Sequence, residues 1–448
     1  MIRRCFGAGL LAGTLVTIPV LAATAGVAAG SIRSAGDGGI TGSAAVTGSV
    51  SAAKVARAAG SAIAAHAADA ADAAAMASWR VAASVQAKNQ RIQLSDVAAD
   101  AANDAWAIGS ARMANQASFQ PVIEHWNGRA WQQVTLPASV LKTLGTSSVH
   151  ATIGASAPAN VWAFGNGGYW LHWNGKQWTA GRLAMPAPAA LGPYVGSPLV
   201  FSPSDVWAFG DYQTRSGTLV PYGVHFNGQA WQPFTTSGHL GFAAESAVSP
   251  TDIWALMNAG VSGSGGALTR WNGSQWAHVP LPSALTVSAT LYSVYAQSDS
   301  DVWVGGKAKR TGNGVVAHWD GATWTTDTFS PVRNFSPDAL VQMVSDGQGG
   351  IWALASCTLG SCWRLWHYTG GQWHGPVQPS INGASMFVAE LAHVPGTTAV
   401  WAAGGSTTGT VSGGFIALQG TVPAPKPPAP RRTARPRPPA RPVTCTNM

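Results

Sequence analysis

Apolar and polar positions alternate in a unit that recurs along most of the chain. Its most regular part is a short apolar run centred on tryptophan and preceded by a turn-forming residue: Asp104-Ala-Trp106-Ala-Ile, Asn160-Val-Trp162-Ala-Phe, Asp205-Val-Trp207-Ala-Phe, Asp252-Ile-Trp254-Ala-Leu, Asp301-Val-Trp303-Val, Gly350-Ile-Trp352-Ala-Leu and Ala399-Val-Trp401-Ala-Ala. Successive tryptophans are separated by 56, 45, 47, 49, 49 and 49 residues. A second signature follows the first six, complete in His125-Trp126-Asn127-Gly128 to Trp131, His172-Trp173-Asn174-Gly175 to Trp178 and His318-Trp319-Asp320-Gly321 to Trp324. Asn-Gly and Asp-Gly between β-formers predict two antiparallel strands joined at a tight turn. An alternating run upstream of each first tryptophan, such as Leu291-Tyr-Ser-Val-Tyr-Ala, predicts one more strand. The unit is therefore four strands, here a, b, c and d in chain order. Seven such units predict an all-β, seven-bladed β-propeller with four antiparallel strands per blade.

The seventh unit has strands a, b and c, ending near Leu418, and then runs into prolines that cannot join a central ladder. Its fourth strand is expected from the other end of the chain. Ser78-Trp79-Arg-Val81 has the d pattern, and Trp79 stands 27 residues before Trp106, against d-to-next-b intervals of 31, 29, 23, 27, 28 and 28 elsewhere. This N-terminal strand would complete the last blade and remove the ring's open edges. Of the 21 tryptophans, 18 fall on the repeated b, c and d positions, which marks them as core; Trp170, Trp363 and Trp366 are off register and freer to take another role.

Tandem blades with aromatic-x-Gly-x-x-Trp hairpins resemble kelch-type propellers, the architecture of the galactose oxidase core. The Asp-Val-Trp-Ala and His-Trp-Asn-Gly pattern is more similar still to secreted bacterial repeat proteins, over residues 79 to 420. Two departures from kelch proper stand out: most blades lack its Gly-Gly pair, and the hairpin aromatics are five apart rather than six. The resemblance implies the architecture and no particular chemistry, because propellers host unrelated functions.

Composition divides the 448 residues further. Arg3 and Arg4 precede a soft apolar stretch and a small-x-small site at Ala23-Thr24-Ala25, so residues 1–25 read as a secretory signal peptide. Residues 26–77 are an Ala/Gly/Ser-rich linker or marginal helix, with 16 alanines between Ser51 and Ala77. Residues 78–420 form the propeller. The remainder, 421–448, is a basic proline-rich tail carrying Lys426, Arg431, Arg432, Arg435, Arg437 and Arg441 and no acid. The net charge of +8 hides a neutral body, with fifteen residues of each sign between 79 and 420, so no nucleic-acid-binding face is expected. No transmembrane segment is expected after signal removal. In an oxidising compartment Cys357 and Cys362 could pair as a disulfide; two reduced loop thiols are the alternative, and Cys445 has no evident partner.

The search for chemistry returns little. His125, His172, His225, His318 and His367 occupy one position in five different blades, so a ring holds them apart, and a structural role is expected. The Asp residues before the b strands read as turn residues binding local amides. With three glutamates in the chain, no glycosidase pair suggests itself, and no catalytic residue is assigned. Ten residues before the first six b-strand tryptophans stand Asp96, Thr152, Ser197, Ala244, Ser293 and Gln342, and Glu390, eleven before Trp401, joins them if the last blade's turn is one residue longer. Strand a is innermost, so the polar members of this series should line the central channel. No cofactor is predicted, although Asp96 and Glu390 could hold a cation there.

The a–b and c–d turns are short and repetitive, whereas the b–c and d–a connections vary and must share the opposite rim. Variable connections on a rigid ring are the usual place for recognition. The rim candidates are Arg112, Lys142, Arg182, Tyr212, Arg215, Lys307, Lys309, Arg310, Arg333, Trp363 and Arg364. The expected function is a secreted or cell-wall-associated binding or scaffold module recognising glycan, cell-wall polymer or protein through that rim. The alternatives are an extracellular carbohydrate-active or metal-dependent oxidising enzyme with its site at the channel mouth, and a purely structural surface protein.

Overall fold

The computed structural model describes residues 79–423 apart from 88, 114–118, 146–150, 185–192, 235–240, 259–265, 330–337, 358–362, 378–379, 382–383 and 409–410. The expected signal peptide, linker and most of the basic tail lie outside the described residues, as do Arg333, Cys362 and the side chains of Ser197 and Cys357.

Seven antiparallel sheets form the ring, each with its strands in the spatial order a-b-c-d. The inner strands are Gln90–Ala101, Thr152–Ala157, Tyr194–Ser202, Gly241–Ser249, Ala289–Ser298, Asp338–Ser345 and Ala384–His393. Each touches the inner strands of both neighbours, and the last touches the first, so the circle is closed. A short strand, Ser380–Ile381, pairs with the start of the seventh inner strand on its channel side. Two helices, α1 (Ala138–Leu144) and α2 (Ser283–Thr286), occupy the d–a connections after the first and fourth blades.

Closure follows the expected route. Strand Arg80–Val85 pairs antiparallel with Val411–Gln419, with Arg80 opposite Leu418 and Val85 opposite Gly414. Trp79 meets Trp352 of the sixth blade edge-on at 5.4 Å. This is the contact that d-strand tryptophans make elsewhere, as Trp178 does with Trp106 at 5.7 Å and Trp231 with Trp162 at 5.4 Å. The b-strand tryptophans thus fill the gaps between blades: Trp401, fully buried, lies 5.2 Å from Trp126 and 5.0 Å from Trp131 of the first blade. Seven blades are held by repeated aromatic contacts rather than by one central core.

The c and d strands meet across the Asn-Gly or Asp-Gly turn as expected. In the first blade Trp126 pairs with Trp131, so four residues form the connection. Positive φ is confined to the glycine, 84° at Gly128, while Asn127 Oδ1 accepts the N–H groups of Arg129 and Ala130 at 3.0 and 3.1 Å. Asn174, Asn227, Asn272 and Asp320 repeat the arrangement. Asparagine is there as an amide acceptor, and glycine alone supplies the left-handed turn.

Candidate functional site

Three regions of the ring carry polar chemistry: the end bearing the a–b and c–d turns, the channel, and the end bearing the b–c and d–a connections.

At the first, Asp301 Oδ1 accepts from Trp303 Nε1 at 2.7 Å and from His318 Nε2 at 2.9 Å, while His318 stacks on Trp303 at 4.0 Å. Asp205 and Asn160 bind the same pair of donors in their own blades. The fourth blade substitutes Arg270, whose Nε donates to Asp252 at 2.6 Å and whose guanidinium lies 4.8 Å from the Trp254 ring. In the sixth, where Gly350 replaces the usual acid, Asp346 supplies the carboxylate to His367 from four residues upstream. The seventh has Ala399 and Leu418 at these places and lacks the set. Asp205 and Asp301 thus bind the tryptophan and histidine of their own blade, Asp104 its histidine and Asp252 its arginine, where the sequence suggested local amides; Asp346 alone of these adds the amides of Gln348 and Gly350. Because they pair within a blade, the five histidines do not converge. Among the described residues no group of three or more His, Cys, Asp or Glu is placed to hold a metal.

The first blade departs from the rest. Asp100 stands at the position of Asp346, so two carboxylates approach His125, which bonds to Asp104 at 3.1 Å. Burial, followed by the charge of Asp104, pushes the Asp100 carboxyl up to about 6. Glu124, buried on the c strand where other blades carry Leu171 or Val224, is pushed up to about 7 by burial alone.

Three members of the channel series, Asp96, Ser293 and Gln342, staple their blade to the next, as does Ser246, which lies outside the series. Asp96 Oδ2 accepts the Ile153 N–H of the second blade at 2.7 Å, and its Oδ1 accepts Val97 N–H at 2.7 Å. Ser246 accepts Ala296 N–H at 2.9 Å, and Ser293 donates to Leu340 O at 3.2 Å. Gln342 grips Leu391 of the seventh blade from both sides, Nε2 to O at 2.9 Å and N–H to Oε1 at 2.8 Å, and also donates to Glu390. A β-bulge precedes the series position in five blades, between Leu94 and Asp96, Phe242 and Ala244, Leu291 and Ser293, Leu340 and Gln342, and Val388 and Glu390. The extra residue turns the next side chain toward the neighbouring blade. Thr152 Oγ1, in contrast, is buried without a partner. The glycine three residues after several b-strand tryptophans makes room for the inner strand. A Cβ at Gly210 would lie 1.8 Å from Tyr194 O, and one at Gly404 1.9 Å from Phe387 O.

Asp96 and Glu390 bring two carboxyls together where the last blade meets the first. Burial lifts Asp96 to about 7 against its two amide donors. Glu390 is raised well above the usual carboxylate range by burial and then by the charge of Asp96. Two neighbouring carboxyls, Asp96 accepting backbone amides and Glu390 accepting from Gln342, are arranged to retain a proton near neutral pH.

The rim candidates sort themselves by exposure. Arg182, Arg215, Lys309 and Arg310 are exposed, as is Lys142 on α1; Tyr212 and Lys307 are half-buried. Arg182 donates from Nε to Gly167 O at 2.9 Å and lies 5.0 Å from the Tyr169 ring. Arg112 lies 5.5 Å from Phe119, and Lys309 Nζ donates to Val287 O at 3.1 Å. Arg364 is only 6% exposed and offers no charge to solvent. The off-register tryptophans are also less free than expected: Trp366 is buried, Trp170 lies 5.5 Å from Trp162, and Trp363 meets Phe387 at 4.7 Å. Sequence reasoning missed Arg91, exposed at the start of the first inner strand and therefore at the channel mouth. Its place in a strand rather than a loop concealed it.

No protein-family model matches the chain, and no curated protein matches it. Among solved structures it is similar to YCF48 bound to a D1 peptide, with 15% identity and a TM-score of 0.48 over 76% of this chain and 96% of that one. It is also similar to the six-bladed β-propeller lectin of Aleuria aurantia, at 10% identity and a TM-score of 0.40, covering 66% of this chain and 97% of the lectin. A third, a Mycobacterium tuberculosis puromycin-hydrolyzing peptidase, gives 11% identity and a TM-score of 0.48 over 74% of this chain and 50% of the peptidase.

Proposed function

We propose that the chain is an exported binding or scaffold module, kelch-like in its hairpins, whose working face is the b–c/d–a rim. One observation carries this reading: the two ends of the ring use their polar groups differently. At the a–b/c–d end the recurring Asp, Asn and His side chains serve their own blade. The opposite end carries connections of unequal length with Arg215, Arg310 and Lys142 in solvent. Side chains committed to the scaffold are poor candidates for a ligand, whereas exposed ones on unequal connections can differ without disturbing the ring.

The test is a glycan array run beside a metal analysis of the purified protein. Binding without turnover, lost on replacement of rim residues, is the expected result. Product release together with stoichiometric copper or calcium would transfer the assignment to the enzyme reading.

The basic tail supports a second point of attachment, as an electrostatic tether to anionic wall polymer. A tail-truncated protein is expected to leave the wall fraction at low salt, where the full chain stays bound and elutes only at high salt. Equal, salt-insensitive retention of both would reject the tether.

A further inference from the structure

The neutral propeller body is polarised along its axis. Arg91, Lys142, Arg182, Arg215, Lys309 and Arg310 are exposed at the b–c/d–a end. Acids near that end whose side chains are described are Asp211, half-buried, and Asp327, exposed on an outer d strand. Asp205, Asp299, Asp301 and Asp320 lie at the opposite end, at least partly exposed, with Arg80, Arg129, Lys176 and Arg270 as its cations. Equal numbers of the two signs in the body thus conceal one face with an excess of exposed cations, while the exposed charges of the other face balance. Such an excess steers an anionic partner to one side of a propeller body that has no net charge to do so.

The cations are spread around the ring. They come from the first inner strand, α1, the second blade's d strand and the b–c connections of the third and fifth blades. A single small anion cannot reach them all, whereas an extended polymer can. One aromatic ring stands beside a guanidinium, Tyr169 at 5.0 Å from Arg182, and the third blade, which carries Arg215, also brings Tyr194, 41% exposed, and the half-buried Tyr212 to this end. An aromatic face receives the apolar face of a pyranose ring, and the planar guanidinium fork matches a carboxylate. We infer that the rim binds an acidic polysaccharide carrying uronic carboxylates, along a path over several blades. This rests on the rim being the working face and adds the chemistry of its ligand.

The experiment uses the full chain with Lys426 and the five tail arginines replaced by Gln, so that only the folded body contributes charge. Polygalacturonate is the probe, with inorganic polyphosphate and neutral dextran as comparison polymers. Binding to polygalacturonate should weaken steeply between 50 and 300 mM salt, on the order expected for several exposed ion contacts. The triple variant Arg215→Ala, Lys309→Ala, Arg310→Ala should lose about 10-fold or more in affinity, while Arg129→Ala with Lys176→Ala on the other face should change nothing. Loss in the second variant and not in the first would overturn the rim itself. Neutral dextran bound as well as polygalacturonate, with the rim triple still defective, would keep the rim and overturn the acidic ligand. Polyphosphate bound more tightly than polygalacturonate would also overturn the uronate assignment. No binding to any polymer overturns the inference and leaves the rim to the glycan array. Unchanged thermal unfolding in each variant is the check that the ring is intact.

Discussion

Deleting residues 79–87 is expected to abolish the single cooperative unfolding transition of the ring and to make the protein prone to association. Without that segment the seventh blade has three strands. The outer edge of Val411–Gln419 is then left with unpaired amides and carbonyls, a template for another chain. The loss extends beyond one strand, because Trp79 fills the space over Trp352 of the sixth blade, and Val85 is buried with Ile92, Leu94 and Ile416. Replacing Trp79 alone by Ala removes one large aromatic contact and should cost about 3–5 kcal/mol. The deletion should cost more than that. Thermal unfolding with size-exclusion chromatography checks both, and a deletion variant that remains monomeric and melts with the intact protein would show that the ring does not need its fourth outer strand.

Raising the pH from 5 to 8 should destabilise the propeller, and Glu390→Gln should remove the part of that dependence that Glu390 carries. The folded values of Asp96, about 7, and Glu390 lie above those of the unfolded chain, so the native state holds protons that the unfolded state has released. Their contribution is complete below about pH 4, falls as pH rises, and is lost once the folded values are passed. For Asp96 a rise from 3.8 to about 7 corresponds to about 4 kcal/mol between those limits. Asp100 and Glu124, also raised, act in the same direction; His172, lowered by burial, acts in the opposite one as pH falls. Glu390→Gln keeps an acceptor for Gln342 and removes Glu390's own titration, while Asp96, raised by burial, keeps its share. His393, on the same inner strand as Glu390, is engaged with Thr397 O, and Asp104, on the strand beside Asp96, with His125. Denaturant unfolding at pH 5 and pH 8 checks the prediction, and an equal drop in both proteins would place the dependence on other groups.

The period of the tryptophans made the fold legible, because a blade repeats its local pattern and the ring repeats the blade. Even closure could be read, since Trp79 keeps the interval that other d strands keep to the next b strand. What could not be read was the direction of individual polar side chains. Asp96, Ser293 and Gln342 sit where an inner strand lines the axis, but a bulge turns each toward the next blade, and that bond spans about fifty residues of sequence. The roles of Asp205 and Asp301 were hidden likewise, because their histidine partner returns only on the third strand. On the rim, Arg364 and Arg310 look alike in sequence, and only packing shows that the first is buried. The chain shows where a partner can approach more readily than what the partner is.

Arg80 and Leu418 are register partners at the end of the seventh blade where other blades place their c–d turn. The segments leading into residue 79 and away from residue 423 therefore join the body on one side, and the uneven connections look out from the other. Whatever fastens the molecule through either arm holds it from behind. An attachment through either segment would leave the exposed cations of the b–c/d–a end on the far side of the body.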